Sequence, residues 1–145
     1  MKVTFGILAH VDAGKTTFSE QVLFCSGLIR SLGRVDSGNS FMDCHEVERE
    51  RGITVFSEQA VYRRGEDTYY LIDTPGHADF SSEMERAMEV LDYGILLVSG
   101  TDGIQGHTET IWNLLRKYRI PVFLFINKLD RDTADYEAVL KSLQE

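Results

Sequence analysis

The chain has 145 residues, 43% of them apolar, and its 23 acidic against 15 basic side chains give a formal charge of -8. That length supports one domain with one sizeable core, and the acidic balance argues against a broad nucleic-acid-binding face, which must displace many phosphate counterions with Lys and Arg. Cys25 and Cys44 show neither CxxC spacing nor a His/Cys partner pattern, and no apolar run has the length of a membrane span or a signal sequence, so the expectation is a cytoplasmic protein with two reduced thiols.

The first apolar run, Val3–Ala9, reads as a strand buried on both faces. It runs directly into "AHVDAGKTT". Residues Ala9, His10, Val11, Asp12, Ala13, Gly14, Lys15 and Thr16 fit the P-loop pattern with Ala in place of the first Gly. A loop between a strand and a helix is the context that pattern needs. Its successive backbone N–H groups form an anion nest at the helix N-terminus. Lys15 can reach the β- and γ-phosphates of a nucleotide, Thr16 can ligate Mg²⁺, and Thr17 can support the α-phosphate. Ala at the entry position is tolerated if its φ stays negative. Phe18, Val22, Cys25 and Ile29 then form the apolar stripe of a first helix.

Ser31 to Glu50 has little periodicity and is too long for a passive connection, so it reads as a functional loop. Thr54 follows it in "RGIT" and could complete the coordination of Mg²⁺ and order the loop while a γ-phosphate is present. Ser57–Arg63 and Thr68–Asp73 pair as an antiparallel edge hairpin through the turn "RRGED". Asp73 begins "DTPGH". A carboxylate at the end of a buried strand beside the P-loop strand can hold Mg²⁺ through a water. Gly76 lacks a side chain, so its N–H can approach a γ-phosphate closely. His77 comes next and is read as orienting the attacking water.

Phe80, Met84, Ala87 and Leu91 mark a second helix, Gly94–Ser99 a strand, Ile111, Leu114, Leu115 and Tyr118 a third helix, and Pro121–Ile126 another doubly covered strand. "NKLD" follows. The Asp130 carboxylate can accept two hydrogen bonds from the N1–H and 2-amino group of guanine. Adenine offers neither donor and would be rejected by about 10⁴ or more. Asn127 would bond the base edge and hold the loop, and the Lys128 stem would lie over the base. Tyr136, Val139, Leu140 and Leu143 form a last helical stripe. Alternating strands and helices predict an α/β fold: a doubly wound, mainly parallel sheet with one antiparallel edge strand, and ligands beyond the carboxyl ends of the strands.

Together, "AHVDAGKTT", "ERGIT", "DTPGHADF" and "NKLD" resemble the G domain of the translational GTPases, a P-loop NTPase fold, over essentially the whole chain. Within that family the chain is similar to elongation factor G and, through "VLDYGILLVSGTDGIQGHTE" and "RKYRIPVFLFINKLD", to tetracycline-resistance ribosomal protection proteins of the TetM and TetO kind. The resemblance implies GTP or GDP with Mg²⁺ as ligands, the ribosome as partner through the full-length protein, and a monomeric fragment. It implies Lys15 and Thr16 as phosphate and Mg²⁺ residues and Asp12 as the P-loop aspartate that helps hold a monovalent cation or the switch loop. Thr54 matches the switch I Mg²⁺ threonine, and Asp73 and Gly76 match the metal and γ-phosphate contacts. His77 matches the catalytic histidine, gated by Val11 and Ile53, and Asn127, Lys128 and Asp130 match the guanine readers. Nothing after Asp130 matches the family's Ser-Ala guanine loop or sixth strand, so residues 1–145 read as a G-domain fragment whose fifth strand has its outer edge left unpaired. Very slow unassisted hydrolysis is expected, about 10⁻⁴–10⁻² s⁻¹. A non-hydrolytic GTP-dependent binding switch and an ATP-using P-loop enzyme remain as alternatives.

Overall fold

Lys2–Ala9 forms the first strand, β1, whose last five residues are buried without alternation. Such a run needs cover on both faces. Phe5, Ile7 and Ala9 pack with Leu23, Leu71 and Leu97 on one side. Leu8 packs with Met84, Leu96, Val98, Ile111 and Leu115 on the other. This computed structural model describes residues 1–30, 58–74 and 81–144. After β1 come α1 (Lys15–Cys25), β2 (Glu58–Arg64), β3 (Asp67–Asp73), α2 (Ser81–Met88), β4 (Tyr93–Ser99), α3 (Gly106–Lys117), β5 (Val122–Asn127) and α4 (Tyr136–Gln144).

The strand order is β2-β3-β1-β4-β5. β1 is parallel to β3 and β4, β4 is parallel to β5, and β2 runs antiparallel to β3 at one edge. This is the expected α/β architecture. β3 and β4 are consecutive parallel strands yet flank β1 on opposite sides, so the chain changes direction across the sheet at β1. The register sets Ile7 opposite Asp73, Ala9 opposite Leu97, and Ser99 opposite Asn127. The carboxyl ends of β1, β3, β4 and β5 therefore share one rim, where doubly wound sheets bind ligands.

The helices depart from the predicted stripes in an instructive way. On α1 the buried residues are Lys15, Ser19, Glu20 and Leu23. Phe18 and Val22 are only partly buried, and Cys25 is exposed. The helix is rotated so that its polar first turn faces the rim. It ends at a left-handed Gly27, where the Gly27 N–H donates to Phe24 O and the Leu28 N–H to Leu23 O. Ile29 therefore lies beyond the helix, although it still packs on the core. Leu91 and Tyr118 likewise lie past the ends of α2 and α3 and still pack on the core. Tyr136 is exposed on α4, whose buried residue is Val139.

The largest departure is β5. Its apolar run predicts cover on both faces, yet Phe123 is 62%, Leu124 47% and Phe125 42% exposed. β5 is the edge strand, and the described helices reach it only partly, through Val122 and Ile126 on one face and Phe18 on the other. Equal apolarity in β4 and β5 thus has unequal consequences. Leu97→Ala, at a fully buried site, is expected to cost about 2–5 kcal/mol. Phe123→Thr is expected to change stability by no more than about 0.5 kcal/mol. Urea unfolding followed by circular dichroism measures both.

Candidate functional site

The loop after β1 turns through two left-handed residues, Asp12 at φ 65° and Gly14 at φ 92°. The Ala13 N–H donates to His10 O at 3.2 Å and closes the turn. Ala9 is buried and stays out of the left-handed region, so Ala in place of glycine brings no strain. Gly14 is required on two counts. Its φ is strained for any residue with a side chain, and a Cβ there would lie 2.5 Å from Asn127 Nδ2. Gly14 also caps α1 with no side-chain hydrogen bond, and the first turn holds no acidic residue. The leading N–H groups of α1 are thus left to an anion, which the helix dipole favours there.

Lys15 heads the helix with only 7% of its side chain exposed, and its Nζ lies 2.6 Å from the Asp73 carboxylate, itself fully buried. Asp73 is brought there as the last residue of β3. Thr74 holds the strand end, its hydroxyl donating to Ile7 O at 2.9 Å. Thr16 is half-buried beside Lys15, and Thr17 is exposed. A buried cation and carboxylate at such a distance stabilise each other only as a pair, because either alone carries a large desolvation cost.

Asn127 ends β5, and its side-chain amide donates to Ala13 O at 2.9 Å. Lys128 adopts a left-handed conformation, φ 61°, and its ammonium donates to Asp12 O. The sequence assigned Lys128 to the base, and its ammonium link to the P-loop went unread. The Phe18 and Phe125 rings, 4.7 Å apart, add a contact between α1 and β5. Asp130 follows, exposed in the turn after the strand. The structure therefore joins His10, Val11, Asp12, Ala13, Gly14, Lys15, Thr16, Thr17, Asp73, Asn127, Lys128 and Asp130 along one rim. Ile53, Thr54, Gly76 and His77 lie outside the described residues.

The loop between β4 and α3 is a part of the rim that sequence reading passed over. Ser99 Oγ donates to the Asp102 carboxylate at 2.6 Å, and Thr101 Oγ1 donates to the same oxygen at 3.0 Å. These hydroxyls hold the Asp102 carboxyl below the usual carboxylate range. The Gln105 amide donates to Asp102 O at 2.6 Å. Gln105 and Thr108 form a capping box at the start of α3. A cavity of 240 Å³ separates this loop from the P-loop and is lined by His10, Val11, Asp12, Asp102, Gln105 and Thr108 among others. The available signal was the turn-rich "SGTDG" ahead of the Gln105/Thr108 pair. Among the described residues, no group of three or more His, Cys, Asp or Glu could hold a metal by itself, and no helix is long and apolar enough to cross a membrane.

Residues 2–145 match the family model of the elongation factor Tu GTP binding domain. The chain is 46% identical over 143 residues to tetracycline resistance protein TetP of Clostridium perfringens, covering 99% of this chain and 22% of that protein. It is 45% identical over 144 residues to elongation factor G of Carsonella ruddii (strain PV), covering 97% of this chain and 21% of that protein. The oxytetracycline resistance protein of Streptomyces rimosus is 45% identical over 144 residues, covering 99% of this chain and 22% of that protein. A crystal structure of a Thermus thermophilus protein superimposes with a TM-score of 0.92 at 30% identity, over 98% of this chain and 21% of its own. The chain thus spans about a fifth of the length of these relatives. A family-model match over residues 2–145, together with relatives of about 45% identity across nearly the whole chain, means that this chain belongs to the elongation factor Tu GTP-binding domain family, among translational GTPases.

Proposed function

We propose that this chain binds GTP with Mg²⁺ and hydrolyses it to GDP and phosphate, as the nucleotide-binding part of a ribosome-associated translation factor of elongation-factor-G or ribosomal-protection type. The observation that carries the reading is the double link of the P-loop to the "NKLD" loop, Asn127 to Ala13 and Lys128 to Asp12. It ties the loop ahead of the open helix end, where phosphate would bind, to the loop that carries Asp130, which would read the base. Phosphates and base of one nucleotide could then be engaged together. The tetracycline-resistance and elongation-factor names of the relatives favour a ribosomal setting.

The residues present fit Mg²⁺: a threonine hydroxyl and a carboxylate are oxygen donors, and this ion commonly takes one or two protein ligands plus substrate phosphate. Thr16 and Asp73 would hold it, with Thr54 as a third ligand. When bound, Mg²⁺ supplies charge neutralisation across the β- and γ-phosphates. Lys15 would leave Asp73 for the phosphates, so that each buried charge exchanges one partner for another and none is left uncompensated. His77 would orient the water that attacks the γ-phosphorus as the bond to the bridging oxygen breaks. The backbone N–H groups of the P-loop and of Gly76 would stabilise the charge on the transferred group.

Asp130→Asn tests the base assignment. It is expected to weaken GDP binding by at least about 10²-fold and to favour xanthosine diphosphate, which presents an acceptor where guanine presents its amino group. Unchanged GDP affinity would contradict it. Lys15→Ala is expected to abolish nucleotide binding and to destabilise the nucleotide-free fold by about 3–5 kcal/mol, because the fully buried Asp73 carboxylate then loses the ammonium 2.6 Å from it. The double change Lys15→Ala with Asp73→Ala should recover most of that stability in urea unfolding. His77→Ala in the full-length protein is expected to remove about 10²-fold or more of ribosome-stimulated turnover and to leave GDP affinity intact. A protein with no stimulated turnover to lose would be a binding switch.

A further inference from the structure

The P-loop opens at His10, whose carbonyl closes the loop's first turn by accepting the Ala13 N–H. The imidazole of His10 is half-buried, and its Nδ1 is shut off from solvent with no hydrogen-bond partner among the described residues. The orientation of this side chain therefore depends on what packs against it. His107 does so: the two ring centroids lie 6.1 Å apart with the planes tilted by 57°, within the usual range for interacting aromatic rings. His107 is itself buried in the first turn of α3. That turn is held from below by the Gln105/Thr108 capping box, the Gln105 bond to Asp102 O, and the Ser99 bond to the Asp102 carboxylate. The 240 Å³ cavity that His10 helps to line gives its side chain room to move if the support is lost.

We propose that His107 is a positioning residue for nucleotide binding, acting through His10 to hold the P-loop in its anion-accepting shape. The ring of His107 packs on that of His10, and the His10 carbonyl closes the turn that presents Ala13. The start of α3 and the nucleotide site are thereby coupled, and a displacement of α3 would loosen the phosphates. The proposal rests on the reading of this rim as a nucleotide site.

The test is a double-mutant cycle on the 145-residue chain, with GDP affinity from calorimetry and GDP dissociation from a fluorescent analogue. His107→Ala is expected to weaken GDP about three- to tenfold, mainly by faster dissociation. His107→Phe, which keeps an aromatic ring there, is expected to hold affinity within about twofold of the unaltered chain. Combined with His10→Ala, the His107→Ala change should add nothing further. If His107→Ala does not fold, His107→Leu keeps the volume without the ring and carries the same expectation. Wild-type GDP kinetics in the alanine and leucine variants, or independent additive effects of the two histidines, would overturn the proposal alone. Failure of the unaltered chain to bind GDP would overturn the nucleotide reading beneath it.

Discussion

The constraint on which the site depends is the parallel register of β1 with its two neighbours. Because Ile7 lies opposite Asp73, Ala9 opposite Leu97 and, one strand further, Ser99 opposite Asn127, four strands end together, and the loops that leave them must meet. Everything chemical in the domain follows from that meeting. Lys15 is the first residue of α1 and Asp73 the last of β3, yet they stand in contact in a buried environment. The register would be hard to slip, since a shift of β3 by one residue would swap Asp73 for an apolar neighbour and turn a charge into the core. Leu71 and Ile72, buried just before it, hold the strand in place.

The rim is polar where the fold could have been apolar. A helix that buries Lys15, Ser19 and Glu20 gives up core packing in its first half. Leu23, fully buried in the second half, supplies the apolar anchor. The left-handed Asp12, Gly14 and Lys128 point the same way. Non-glycine residues rarely adopt this conformation, and such positions persist where surrounding contacts hold them. Here the contacts are mutual: Lys128 secures the carbonyl of Asp12, and Asn127 secures that of Ala13. Each loop is the other's brace, so a change that loosens one is felt by both halves of the site.

The sequence was most legible where function is carried by a short segment in a fixed context. "AHVDAGKTT" after an apolar run specifies a strand, a tight loop and a helix whatever the rest of the chain does. The hairpin of β2 and β3 was legible through its turn, and the doubly wound order through the alternation of elements. Legibility failed where tertiary context decides. Apolarity says that Phe123 and Phe125 can be buried, but their place on an edge strand leaves them exposed beside the described residues. The stripe Phe18, Val22, Cys25 and Ile29 is a fair helical pattern, and the polar rim turned the helix away from it. The contact of His10 with His107 joins residues far apart in sequence, and no spacing rule could have found it.

The central claim is that this rim recognises guanine and phosphate as one ligand, and the most direct measurement is a calorimetric titration of the chain with GDP and with ADP in Mg²⁺ buffer. The account predicts saturable GDP binding and ADP weaker by about 10⁴ or beyond detection, since the Asp130 carboxylate would be left without its two donors. Equal binding of the two nucleotides would contradict base recognition by the "NKLD" loop, and binding of neither would contradict the nucleotide site itself.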